Sequence, residues 1–202
     1  MAGKPLLFSE KLCYGLTDLS FSIAYTIQSF FLLIFLTDVL NVPPALAGTL
    51  LLISKIWDAL IDPAIGYLSD RTKSKWGRRR PFLLWFSLPF GLSFIFIWSL
   101  PTVASPFIQS LLIMGAIIPF ITFFSLLSVP YTSLAPEMTI DYDERTRLNG
   151  YRMFFSIIGG LVAVVVPSSL LGIAPTLSAG YRLMGLFFGV YPARKASLLD
   201  PI

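Results

Sequence analysis

The stretch LLISKIWDALIDPAIGYLSDRTKSKWGRRRP, Leu51 to Pro81, decides how this chain is read. Its first half belongs to an apolar run long enough to cross a bilayer, yet it carries Lys55, Asp58 and Asp62. Its second half holds the basic residues Arg71, Lys73, Lys75, Arg78, Arg79 and Arg80. Charges where lipid is expected, followed at once by a basic cluster, call for a physical explanation.

Composition supplies the setting. Of 202 residues, 55% are hydrophobic and only 13% charged, and the mean hydropathy is +0.77. A soluble chain carries about a quarter charged residues. So much apolar surface cannot be hidden inside a water-soluble globule, and a membrane is the expected solvent. The single cysteine, Cys13, excludes an internal disulfide and a multi-cysteine metal site, and the absence of histidine excludes histidine-based catalysis. No nucleophile–base pair stands out, so no enzyme and no cofactor are expected. The basic cluster lies between apolar spans rather than on a solvated face, which argues against nucleic acid as a partner. The N-terminus, MAGKPLLFSEKLCYG, has no short apolar core followed by a cleavage site, so no removable signal peptide is expected.

Five apolar segments have spanning length: Tyr14–Val39, Ala45–Ser69, Phe82–Leu100, Phe107–Ser128 and Met153–Leu171. Each is close to the ~20 residues a helix needs to cross the hydrocarbon layer. Pro43, Pro44, Pro81, Pro101, Pro106 and Pro130 read as their boundaries. A sixth helix starts in GYRLMGLFFGV; the eleven residues between Arg182 and Arg194 reach only ~17 Å as a helix. The expected fold is all-α, a polytopic membrane protein of five spanning helices plus a short sixth.

Lysine and arginine set the orientation. The connections Asn41–Pro44, Pro101–Pro106 and Gly172–Gly180 contain neither, whereas the alternate ones hold the Arg71–Arg80 cluster, Arg145 and Arg147. Lys4 and Lys11 precede the first span. The positive-inside rule puts these basic ends and the N-terminus in the cytoplasm of a cell inner (plasma) membrane. The cluster anchors the topology, meets anionic lipid head groups, and is placed to form a charged latch with other helix ends.

Lys55, Asp58 and Asp62 are spaced i, i+3, i+7 and share one helix face. An ionised residue facing lipid near mid-membrane costs at least ~2.5–3.5 kcal/mol, so that face must meet protein or a wet cavity. Lys55 can neutralise one aspartate; the other retains spare negative charge for a cation. Oxygen ligands suit Na⁺, and a carboxylate withdrawn from water suits H⁺. The bland reading is an ion pair that only joins helices. Pro63 frees a backbone carbonyl beside this face. On the first helix Asp18, Ser22, Tyr25 and Ser29 form a second polar stripe, with Gln28 beside it. Hydroxyls, an amide and a ring suit a polyhydroxylated ligand, although inter-helix bonding is the equal alternative. Ser125, Ser128 and Tyr131 repeat the theme on the fourth helix.

KLCYGLTDLSFSIAYT, FLTDVLNVPPALAGTLLLISKIWDALIDPAIGYLSDRTKSKWGRRRPFLLW and VPYTSLAPEMTIDYDERTRLNGYRMFFSIIGG resemble the N-terminal half of the glycoside–pentoside–hexuronide:cation symporters. These form the melibiose-permease-like branch of the major facilitator superfamily. The resemblance implies half of a major-facilitator-type bundle over residues 1–190, and cation-coupled uptake of a sugar or glycoside by alternating access. It implies that Asp58, Asp62 and Ser125 bind the coupling cation, H⁺ or Na⁺, with Lys55 as charge partner. Taken with the first-helix stripe, it makes Asp18, Ser22, Tyr25, Gln28, Ser128 and Arg152 the candidate solute contacts. Ile61 stands where melibiose permease has a cation-site asparagine, which favours H⁺ over Na⁺. Ser22 and Ser128 stand where it has its two main sugar-binding aspartates, and Arg152 approximates its basic sugar-site residue. Residues 191–202 read as a cytoplasmic tail; FFGVYPARKASLLDPI resembles the C-terminal end of macrolide-exporter-like ABC permeases. A rocking mechanism needs two bundles, so the charged face is expected to meet a second half or another copy of the chain. The competing expectation, of a different class, is a non-transporting membrane-embedded interaction or assembly subunit.

Overall fold

The computed structural model describes residues 7–75 and 79–196. The elements are α1 (Phe8–Ile34, continuing through a π-helical turn, Phe35–Val39), α2 (Pro44–Arg71), α3 (Arg80–Trp98), α4 (Pro106–Thr132), the short α5 (Ala135–Met138), α6 (Tyr142–Ile173) and α7 (Leu177–Ala196). Among the described residues there is no strand, and five helical stretches are long and apolar enough to cross a membrane. The all-α, multi-pass membrane reading therefore holds.

Helix starts follow local chemistry. α2, α3 and α4 each begin with a proline in their first turn, where a missing N–H costs nothing. Asp141 caps α6 by accepting from the backbone N–H groups of Asp143 (2.8 Å) and Glu144 (3.3 Å). Asn41, at φ 54°, takes the left-handed conformation that lets the chain turn from α1 into α2.

Four boundaries differ from those read in the sequence, the first being α1, which starts at Phe8 rather than Tyr14. α6 begins at Tyr142 rather than Met153, because the Asp141 cap starts a polar helical extension ahead of the apolar span. α4 runs through Pro130 to Thr132, so Pro130 is a buried interior residue and not a boundary. Packing against neighbouring helices compensates for the missing hydrogen bond. α7 has 20 residues and runs to Ala196, about 30 Å at the helical rise. The sixth helix thus extends into the stretch taken as a tail; residues 197–202 lie outside the described residues.

The helices pack in the order α2, α4, α3, α7, α6, α1. Aromatic contacts also join α1 to α4 across that series. Tyr14 stacks on Tyr131 with centroids 4.6 Å apart, and Phe21 meets Phe124 edge-on at 5.9 Å. The core between α1, α3, α4 and α7 is equally ring-rich, with Phe35, Phe90, Phe94, Trp98, Phe120 and Tyr181 almost fully buried. Trp98 and Tyr181 stack at 5.4 Å.

Glycine sets two of the helix seams. A Cβ on Gly159 of α6 would stand 2.7 Å from the Leu19 carbonyl of α1, and one on Gly185 of α7 would stand 2.8 Å from the Trp98 Cβ. Close backbone approach of this kind, through small residues, is how helices associate in lipid. Outside the bundle, Leu60, Trp85, Leu92 and Leu161 are more than half exposed. Such a surface suits hydrocarbon or a second apolar bundle, not water.

At the end carrying the basic residues, Arg79 joins three elements. Its Nη2 is 2.9 Å from Asp70 Oδ1 and its Nε is 2.9 Å from Glu137 Oε1, with the arginine side chain only 11% exposed. This is the expected latch. Lys11 Nζ pairs with Glu144 Oε2 at 2.6 Å and ties the start of α1 to α6 in the same way.

Candidate functional site

The charged face of α2 meets α4. Ser125, fully buried on α4, donates from Oγ to Asp58 Oδ1 at 3.2 Å. Trp57 Nε1 donates to Thr122 Oγ1 at 3.0 Å, fixing the same seam nearby. Ser125 and Thr122 are three residues apart and so face α2 together. Lys55 Nζ lies 3.9 Å from Asp58 Oδ2, at the outer limit of an ion pair, and its side chain is 56% exposed. An exposed pair at that distance contributes at most about 1 kcal/mol.

Asp62 is different. Its Oδ1 is buried and accepts no hydrogen bond among the described residues. A buried carboxylate oxygen without a donor carries its full desolvation penalty. One helical turn back, the Ala59 carbonyl has no N–H to accept at position 63, because Pro63 stands there. α2 therefore presents Asp58 and an orphaned Asp62 oxygen on one face, with the Ser125 hydroxyl of α4 against Asp58 and a released backbone carbonyl at Ala59. All are hard oxygen donors, chemically suited to Na⁺ or a proton and poorly suited to a transition metal. No group of three or more His, Cys, Asp or Glu side chains placed to hold a metal occurs among the described residues.

The α1 stripe is divided between two tasks. Asp18 Oδ1 pairs with Arg152 Nε of α6 at 3.3 Å. Ser22 Oγ donates to the Ser156 carbonyl of α6 at 2.7 Å, so its hydroxyl proton is spent on the α1–α6 seam that Gly159 makes possible. Tyr25 is free of the seam: it is 50% exposed, stacks on Phe124 at 6.1 Å and lies beneath Lys55 Nζ at 5.4 Å. Gln28 and Ser128 are part-buried and make no side-chain hydrogen bond among the described residues. Tyr131, by contrast, is a packing residue: it is buried and donates from its hydroxyl to the Tyr14 carbonyl at 2.7 Å.

The structure thus brings Lys55, Asp58 and Ser125 together, pairs Asp18 with Arg152, and sets Tyr25 beside Lys55. Trp57, Thr122, Phe124 and Ser156 were not singled out in the sequence. Their roles depend on which helix faces which, and only the i, i+3 spacing of Thr122 and Ser125 offered a hint.

Comparison with known proteins gives the family. Residues 13–190 match the family described as MFS/sugar transport protein. An uncharacterized symporter of Synechocystis, sll1374, is 40% identical over 171 residues, 82% of this chain and 31% of that protein. The putative glycoside/cation symporter YagG of Escherichia coli is 33% identical over 158 residues, 77% of this chain and 34% of that protein. The isoprimeverose transporter of Lactiplantibacillus pentosus is 29% identical over 190 residues, 91% of this chain and 39% of that protein. The chain spans about a third of the length of these curated relatives. By its helices and by this match the chain belongs to the MFS/sugar transport protein family, a family of membrane transporters and not of enzymes.

Proposed function

We propose that this chain forms one wall of a cation-coupled symporter for a sugar or glycoside, with H⁺ or Na⁺ as the coupling ion. The observation that carries the reading is the orphaned Asp62 Oδ1 on the face shared with Asp58 and Ser125. A side chain that only joined helices would have found a donor; a cation site needs an oxygen left free. Charge accounting agrees. Lys55 and Arg152 against Asp18, Asp58 and Asp62 leave one negative charge, which a single monovalent cation neutralises.

In this reading Asp58, Asp62 and Ser125 hold the cation, with the Ala59 carbonyl available as a further donor. Asp18, Tyr25, Gln28, Ser128 and Arg152 face the solute: Tyr25 offers a ring for the apolar face of a sugar, and the polar groups serve its hydroxyls. Ser22 contributes only its remaining acceptor capacity, since its proton is used on α6. The names of two relatives, a glycoside/cation symporter and an isoprimeverose transporter, support this solute class. Alternating access follows when a bundle of this kind rocks against a second one about a midplane site. The cation and solute share one cavity, so each raises the affinity for the other by the same factor. The basic end of the bundle, with the N-terminus, faces the cytoplasm. Gradient-driven uptake in proteoliposomes that hold the chain assembled with a second bundle, or as a confirmed dimer of this chain, tests the proposal. Solute accumulation that follows an imposed Na⁺ or H⁺ gradient supports it, and equal uptake with and without either gradient refutes it.

A further inference from the structure

The end of α2 divides its charges between two directions. Asp70 turns to Arg79 and the latch, whereas Arg71 does not. The Arg71 guanidinium carbon lies 4.1 Å over the ring of Tyr67, one turn earlier on the same helix. Tyr67 is 58% exposed, and Arg71, Lys73 and Lys75 are all exposed. Among the described residues, none of these three cations has an acidic partner. The mechanism uses none of them.

Depth in the membrane adds a second constraint. Tyr67 lies four residues inside the end of α2, about 6 Å along the axis. Trp85, 72% exposed, lies a similar distance inside the start of α3. Ile65 of α2 and Phe82 of α3 pack in one cluster, so the two helix ends are neighbours. Exposed Tyr and Trp near helix ends are the signature of the hydrocarbon–head-group boundary. Leu68, 53% exposed, flanks Tyr67 in the same turn, and Leu60, 68% exposed and two turns back on the Tyr67 face, continues the apolar surface toward the bilayer interior.

We propose that Arg71, stacked on Tyr67 and backed by Lys73 and Lys75, is a binding site for the phosphate of an anionic phospholipid. A guanidinium held over a ring loses less freedom when it binds, and an exposed arginine keeps N–H groups open for a two-pronged bond to phosphate. The ring and Leu68 supply the apolar contact that an acyl chain needs and a soluble anion lacks. An acidic protein segment would meet the same charges but would leave that apolar flank bare, so the lipid is the better fit. Each basic residue at a membrane surface is worth about fivefold in affinity for anionic lipid.

The test uses the full chain in neutral detergent micelles. Binding of phosphatidylglycerol and of phosphatidylcholine is titrated by native mass spectrometry, with thermal unfolding followed in parallel. Phosphatidylglycerol should bind at least tenfold more tightly than phosphatidylcholine and raise the unfolding temperature. Arg71→Gln should weaken it about fivefold, and Arg71→Lys, which keeps the charge but loses the planar stack, should also weaken it. Tyr67→Phe should bind as the parent does and Tyr67→Ser should not. The proposal is overturned if Arg71→Gln/Lys73→Gln/Lys75→Gln binds phosphatidylglycerol like the parent, or if Arg71→Lys is indistinguishable from the parent. Stabilisation by polyglutamate equal to that by phosphatidylglycerol also overturns it, and makes this face a protein-docking surface.

Discussion

Lys55 of α2 holds its ammonium 5.4 Å from the centre of the Tyr25 ring of α1 while standing 3.9 Å from an Asp58 oxygen. One flexible side chain therefore reaches both the carboxylate face and the Tyr25 ring proposed to meet the solute. Neither contact is short, and a lysine stem can favour one over the other at little cost. A cation bound at Asp58 repels the ammonium and leaves Tyr25 as its remaining contact. The geometry supplies a direct electrostatic link between the two halves of the proposed site.

Lys55→Met removes that internal competitor. A unit charge ~4–6 Å away in a partly solvated site opposes a second cation by about 1–3 kcal/mol. The variant should bind the coupling cation about tenfold more tightly, while its thermal stability without cation changes by less than about 1 kcal/mol. A cation titration followed by thermal unfolding reads both quantities. Unchanged or weaker cation affinity would separate Lys55 from the site.

Arg79 offers a purely structural test. Its guanidinium serves Asp70 and Glu137 at once and is nearly buried. Arg79→Gln leaves both carboxylates without it and should lower stability by about 1.5–3 kcal/mol. Arg147→Gln, which removes an exposed guanidinium 3.4 Å from a Glu144 that keeps its shorter pair with Lys11, should change it by less than about 1 kcal/mol. Unfolding of both variants in detergent checks the order; equal effects would mean that the latch contributes nothing beyond surface charge.

Orientation follows from the same basic end. In a Cys13→Ser background, Lys75→Cys should be labelled by an impermeant thiol reagent only after the cells are opened. Thr102→Cys, in the connection before α4, should be labelled on intact cells. Labelling at 75 from outside would invert the topology.

The spans and the basic asymmetry were legible in the sequence because both depend on local composition: about 20 apolar residues cross a bilayer whatever their neighbours do. The i, i+3, i+7 spacing placed Lys55, Asp58 and Asp62 on one face for the same reason. What depended on neighbours was not legible. Pro130 looks like a boundary until α4 is packed on both sides, and the α6 start required the Asp141 cap. Ser22 read as a solute ligand, but Gly159 draws α6 so close that the hydroxyl bonds to Ser156. Asp62 could be identified as a charge in the membrane, whereas its lack of a donor is a property of the assembled bundle alone.

Asp58 and Asp62 are proposed to form a cation site and not a structural ion pair. The direct measurement is the rise in unfolding temperature of the purified chain in nanodiscs with Na⁺ concentration and with falling pH, compared among the parent, Asp58→Asn and Asp62→Asn. The parent should be stabilised by one of the two cations, by about 2.7 kcal/mol at a hundred times its dissociation constant. Both variants should lose that stabilisation. Asp62→Asn, which removes an uncompensated buried charge, should be at least as stable as the cation-free parent. If both variants keep the full cation response, or if Asp62→Asn is destabilised as a broken ion pair would be, the carboxylates only hold helices together and the account is wrong.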